Sequence, residues 1–256
     1  RLALMLIAQI SDTHILAPTA DHPSVELRAA WLKQCVAEIN EQQPDAVIFT
    51  GDTVQTGQAE EYECLRELLA PLTAPLYVVP GNRDDNRVLR TVLDGSTNLP
   101  RDSDILQYVV DEHPVRLIAI DSTDVGERKG VFCSERQAWL DATLSAKPQQ
   151  PTLLFIHHPP FDIGDHYIGG YRREEEAYAL TDIVRRHPQV QGLLCGHVHQ
   201  RVDESWAGTR AIVMPSVAVD LRKGVDEEVA NGRPIYMLHQ LSNESGLSSE
   251  SRIISG

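Results

Sequence analysis

Missing from this sequence are a C-x-x-C pair, an apolar run long enough for a bilayer, clusters of basic residues, and any Gly/Ser-rich linker within the first 215 residues. Each absence excludes something. Cys35, Cys64, Cys133 and Cys195 are scattered and fall mostly inside helix or strand patterns, which predicts free thiols in a reducing cytosol, and so a cytoplasmic location. The longest apolar stretch near the start, LALMLIA at 2–8, is too short to span a membrane, and QISDTH follows it without a signal-peptide cleavage site. It predicts a first core strand and no membrane partner. Lys plus Arg number 23 against 37 Asp plus Glu, a net charge of −14. That balance argues against a broad footprint on long nucleic acid unless metal ions offset the repulsion. Small substrates stay open.

What is present is an alternation. The runs LMLIAQI, DAVIFT, LYVVP, VRLIAI, TLLFI and GLLC predict strands buried on both faces, because they lack the polar alternation of a half-exposed sheet. Helical patterns lie between them. Leu32, Cys35, Val36 and Ile39 share one face of 25–40, and Tyr62, Leu65 and Leu69 one face of 60–70. Residues 134–146 open with Ser134 and Gln137, spaced as a capping box, and 174–187 run from acidic Glu174–Glu176 to basic Arg185 and Arg186. After about 200 the pieces become strand-like with loops between them. The prediction is an α/β protein of 256 residues forming a single domain, 1–256, with helices outside. Its first half is mostly parallel and its end antiparallel. The core runs to about 218; residues 219–256 complete the sheet or make a homo-oligomer contact, and 220–233 are the least readable part.

Each apolar run stops in polar residues suited to holding metal: Asp12 and His14, Asp52, Asn82, His157 and His158, His197 and His199. In open α/β sheets the crevice beyond the carboxyl ends of the strands binds ligands, so these groups should converge. Carboxylate, imidazole and amide oxygen without thiolate suit Mn, Fe, Co or Zn. Read as extended chain, Asp12-x-His14 and His197-x-His199 each act as a pincer. Taken singly, Asp12 and Gly51-Asp52 are turn residues, Asn82 a left-handed turn, His157 a core histidine, and Asp84 a helix cap or an orienting group. His166, Tyr167 and Tyr171 mark a loop that either meets substrate or is plain surface, and the tryptophans are packing residues.

In order, Asp12-Thr13-His14, Gly51-Asp52, Gly81-Asn82-Arg83-Asp84, His157 and Gly196-His197-Val198-His199 resemble the signature of the calcineurin-like metallophosphoesterase superfamily: D-x-H, G-D, G-N-H-D/E, H and G-H-x-H. QISDTHI with HHPP looks most like the class III cyclic-nucleotide and glycerophosphodiester phosphodiesterase branch. The resemblance implies an αββα sandwich of two mixed β-sheets flanked by helices. It implies one metal ion on Asp12, His14, Asp52 and His199, and a second on Asp52, Asn82, His157 and His197, with Asp52 bridging. Two such divalent ions share a water and lower its pKa, making a bridging hydroxide that attacks phosphorus.

The sequence departs from that signature at Arg83, where relatives carry a histidine. A guanidinium grips phosphate oxygens with a fixed fork of donors but does not relay protons. The implied catalytic set is therefore Arg83, Asp52 and Asn82. Substrate-binding candidates are Arg83, Asn82, His158 and His22, the last two also standing in as proton donors. The reading is a metal-dependent phosphodiesterase acting on a small phosphate ester. A phosphomonoesterase and a non-catalytic, metal-stabilised binding scaffold are the alternatives.

Overall fold

The fold is given by a computed structural model that describes residues 5–94, 98–164, 170–242 and 246–255. Its first sheet contains β1 (Met5–Ile10), β2 (Ala46–Phe49), β3 (Leu76–Val78), β10 (Ile235–Ser242) and β11 (Gly246–Ile253), in the order β11-β10-β1-β2-β3. The second contains β4 (Tyr108–Val110), β5 (Arg116–Ile120), β6 (Thr152–Ile156), β7 (Val190–Cys195), β8 (Val202–Trp206) and β9 (Thr209–Val213), in the order β4-β5-β6-β7-β9-β8. The helices are α1 (Val25–Gln42), α2 (Ala59–Leu69), α3 (Asn86–Val92), α4 (Ser134–Ala146), α5 (Glu174–Arg185) and the short α6 (Glu227–Ala230). The βα units give parallel pairing of β1 with β2 and β2 with β3, and of β5 with β6 and β6 with β7. The C-terminal hairpin β10–β11 joins β1 antiparallel at the edge of the first sheet.

The period of the buried strands is visible only in what each side chain touches. Leu117, Ala119, Leu153, Phe155 and Leu194 join a core cluster with the residues of β1, β2, α1 and α2. Ile118, Ile120, Leu154, Ile156 and Leu193 alternate with them and pack on α4 and α5. The second sheet therefore has an apolar layer on both faces, which is why its strands read as unbroken apolar runs.

Two local expectations are corrected. Ser134 does not cap α4; Cys133 is the N-cap, with no side-chain capping bond, and Gln137 instead donates to the Phe132 carbonyl. The capping box stands at α2, between Gln58 and Glu61. The helix after Arg83 is capped by Asp85, whose carboxylate accepts from the N–H groups of Arg87 and Val88, so of the two roles open to Asp84 it is not the cap. The four cysteines are free thiols.

Candidate metal centre

The strands deliver their polar ends to one rim, and they do so through unusual backbone. Asp12, His14, Asp52, His197 and His199 all have positive φ, at 53°, 46°, 48°, 72° and 61°. For a non-glycine residue this region costs about 1–3 kcal/mol and persists only where the surroundings enforce it. The extended pincer expected for Asp12-x-His14 and His197-x-His199 is therefore corrected: the chain coils at each ligand instead of alternating. Glycine is required at Gly81, where a Cβ would overlap the Asp52 backbone and carboxylate.

Two groups of donors result. In one, His14 Nε2 lies 3.2 Å from His199 Nε2, 3.5 Å from Asp52 Oδ2 and 4.0 Å from Asp12 Oδ1, while His199 Nε2 lies 3.3 Å from Asp12 Oδ1. In the other, His157 Nε2 lies 3.2 Å from His197 Nδ1, 3.3 Å from Asn82 Oδ1 and 3.5 Å from Asp52 Oδ1. Asp52 thus turns one carboxylate oxygen to each group. His158 ring atoms also come close to His157 and His197.

Two of these rings are oriented from behind: His199 Nδ1 donates to the Leu221 carbonyl at 3.2 Å and His157 Nδ1 to the Thr50 carbonyl at 2.7 Å, which turns each Nε2 toward its group. Each group brings ring nitrogens together with carboxylate or amide oxygens at one point, where a cation would hold them. The donor set fits a pair of divalent ions.

Surrounding groups orient the carboxylates. Asp12 Oδ2 accepts from Ser11 Oγ at 2.6 Å and from the His197 N–H at 3.1 Å, leaving Oδ1 to face the histidines. Asp84 accepts from the Thr53 hydroxyl and N–H, the Gly81 N–H and the Tyr62 hydroxyl, which fixes the loops on either side of Asp52. Burial, then the Asp52 charge, pushes the Asp84 carboxyl up to about 6. Burial also raises Asp12, but His199, His157 and His14 outweigh it and hold that carboxyl below its usual range. Burial lowers His14 to about 3 and takes His197 well below its ordinary value. His199 moves up, because Asp12 overrides its burial.

Sequence reasoning missed a second ring of support. Arg28 donates to the His14 carbonyl at 3.0 Å and pairs with Asp220 at 2.8 Å, while Leu221 holds His199. A signal was available: Arg28 lies one turn before Leu32 on the apolar stripe of α1, a place where an unpaired cation is costly. Asp220 and Leu221, in the stretch that was least readable, thereby contact Arg28 and His199 of their own chain.

Arg83 and Asn82 line a cavity of about 580 Å³ that continues past Arg87, Asp104 and Asp124. Among the described residues no carboxylate pairs with the Arg83 guanidinium, while the Arg83 backbone N–H donates to Asp52 Oδ1 at 2.8 Å. His158 is fully buried, Nδ1 against Ser122 Oγ and Nε2 donating to the Arg128 carbonyl, so as placed it offers no atom to a substrate. His22 sits on an exposed turn, bonded to the Ser24 N–H, outside both donor groups and the cavity lining. Tyr171 is buried with its hydroxyl on the His158 carbonyl; His166 and Tyr167 lie outside the described residues.

Two groups of metal-type donors thus lie at one rim above two packed sheets. Residues 5–201 match the calcineurin-like phosphoesterase family. The chain is 34% identical to the "Probable glycerophosphodiester phosphodiesterase GpdQ" of Arcobacter nitrofigilis, over 98% of this chain and 93% of that protein. It is 30% identical to the 3',5'-cyclic adenosine monophosphate phosphodiesterase CpdA of Pseudomonas aeruginosa, over 87% of this chain and 79% of that one. A dimetal phosphatase from Danio rerio has the same fold, with a TM-score of 0.73 at 15% identity over 98% of this chain and 99% of that chain. The chain belongs to the calcineurin-like metallophosphoesterase family, on the branch of GpdQ and CpdA, and is a hydrolase of phosphate esters.

Proposed function

We propose that the protein hydrolyses small phosphodiesters at a pair of divalent ions, one on Asp12, His14, Asp52 and His199 and the other on Asp52, Asn82, His157 and His197. The observation that carries this is the split of the Asp52 carboxylate, Oδ2 toward His14 and Oδ1 toward His157. When bound, the ions acidify a water and draw charge from the phosphoryl oxygens. The donor chemistry suits Mn, Fe, Co or Zn.

The chain's own groups supply the rest. Arg83 binds the non-bridging oxygens of the transferred phosphoryl group and stabilises their charge, with Asn82 beside it. The proton for the leaving oxygen comes from solvent, since a guanidinium does not relay protons and both ring nitrogens of His158 are engaged. The cavity beyond Arg83 receives an alcohol arm of the ester. We also take residues 1–256 as one domain in the cytoplasm; one core cluster joining strands of both sheets and four free thiols support this, and no helix among the described residues is long and apolar enough to cross a membrane.

The test is to strip the protein, reload it with Mn or Co, and compare bis-nitrophenyl phosphate with nitrophenyl phosphate. Faster turnover of the diester is expected. Turnover of neither, with two ions bound, would instead make the chain a binding scaffold.

A further inference from the structure

One polar row crosses the otherwise apolar space between the sheets. Gln9, Thr50 and His239 are each fully buried there. Strand register explains how they meet. Gln9 lies opposite Ile48 on β2 and Met237 on β10, so Thr50 and His239, two residues along, share its face.

The row has a fixed direction. Gln9 Nε2 donates to Thr50 Oγ1 at 2.9 Å and to the Cys195 carbonyl at 3.1 Å. A carbonyl can only accept, so the amide nitrogen must face it and Gln9 Oε1 must face His239 Nε2, 2.9 Å away. That nitrogen carries the ring proton, and His239 Nδ1 accepts from Ser249 Oγ at 2.6 Å on β11. Every polar atom of the Gln9 side chain is paired. The row ends at two backbone positions: Thr50, whose carbonyl takes the His157 ring proton, and Cys195, two residues before His197. Thr50 follows a strand of the first sheet and Cys195 ends a strand of the second.

Leucine in place of Gln9 together with phenylalanine in place of His239 would fill this apolar core without stranding the ring proton, so packing alone does not call for the pair here. We infer that Gln9, held by His239, is a positioning residue that clips the ends of β2 and β7 together and keeps the donor groups of the two sheets at their mutual spacing. This rests on the dimetal reading above.

The experiment is a Mn(II) titration followed by electron paramagnetic resonance, with melting of the metal-free protein measured alongside. Wild type should take up two equivalents. Gln9→Leu should bind the second ion about 10–100-fold more weakly, while His239→Gln, which keeps a donor toward Gln9, should bind as wild type does. Because Gln9→Leu strands the His239 proton, the double variant Gln9→Leu/His239→Phe removes both partners and should recover the metal-free melting temperature but not the lost affinity. Wild-type binding of both ions by that double variant would overturn the inference and assign the row to packing. Fewer than two ions on the wild type would instead overturn the dimetal reading on which it stands.

Discussion

Arg83, proposed above to grip the phosphoryl oxygens, lines the cavity, and its guanidinium has no carboxylate partner among the described residues. A cation left free beside a phosphate-binding rim is available for transition-state charge, so Arg83→Ala should lower kcat about 10²–10³-fold. Arg83→His restores a proton donor; it should speed esters with poor alkoxide leaving groups and change nitrophenyl esters much less. Equal effects on both in steady-state assays would remove the assignment. The convergence of the candidate donor side chains was legible because their types and order are written in the sequence. Their left-handed backbone was not, since φ follows from packing around Gly81 and Asp84, and no residue type announces it.

The segment after β9 shows what an element can hide. Residues 220–233 carry no period because they form turns and the short α6, whose work is done by single contacts: Asp220 on Arg28, Leu221 on His199, and Arg222 on Glu227. Asp220→Ala leaves Arg28 with a buried, half-satisfied charge, and should cost about 1.5–3 kcal/mol in urea unfolding, with weaker binding of the ion on His14 and His199. An unchanged midpoint would show that the pair is ornamental. α3 offers a smaller test: Asp85→Ala removes the cap on Arg87 and Val88 and should cost about 1 kcal/mol. β4 and β8 escaped the sequence reading for a related reason, being edge strands of the second sheet, one short and one largely exposed.

Over the whole molecule, buried neutral histidines set the response to acid. Burial depresses His239 to about 3 and also lowers His14, His158 and His197. Between roughly pH 6.5 and 3 these histidines take up protons in the unfolded chain and refuse them in the folded one, so their contribution to stability is full above that window and is lost as pH falls through it, while Asp84, pushed up to about 6, works in the opposite sense. His239→Phe should flatten the slope of stability against pH by up to about 1.4 kcal/mol per unit. An unaltered slope would mean that His239 is not buried as described. The alternation of strands and helices was legible from apolar runs bounded by polar residues, and the pair of sheets from the family resemblance, but the clip between the sheets was not, because one glutamine among apolar neighbours gives no periodic signal.

Two ions sharing Asp52 are the centre of the account. Anomalous diffraction from crystals soaked in manganese measures this directly: two peaks are predicted, one against each oxygen of the Asp52 carboxylate, with His14 and His199 on one and His157 and His197 on the other. A single peak, or none at that rim, would contradict it.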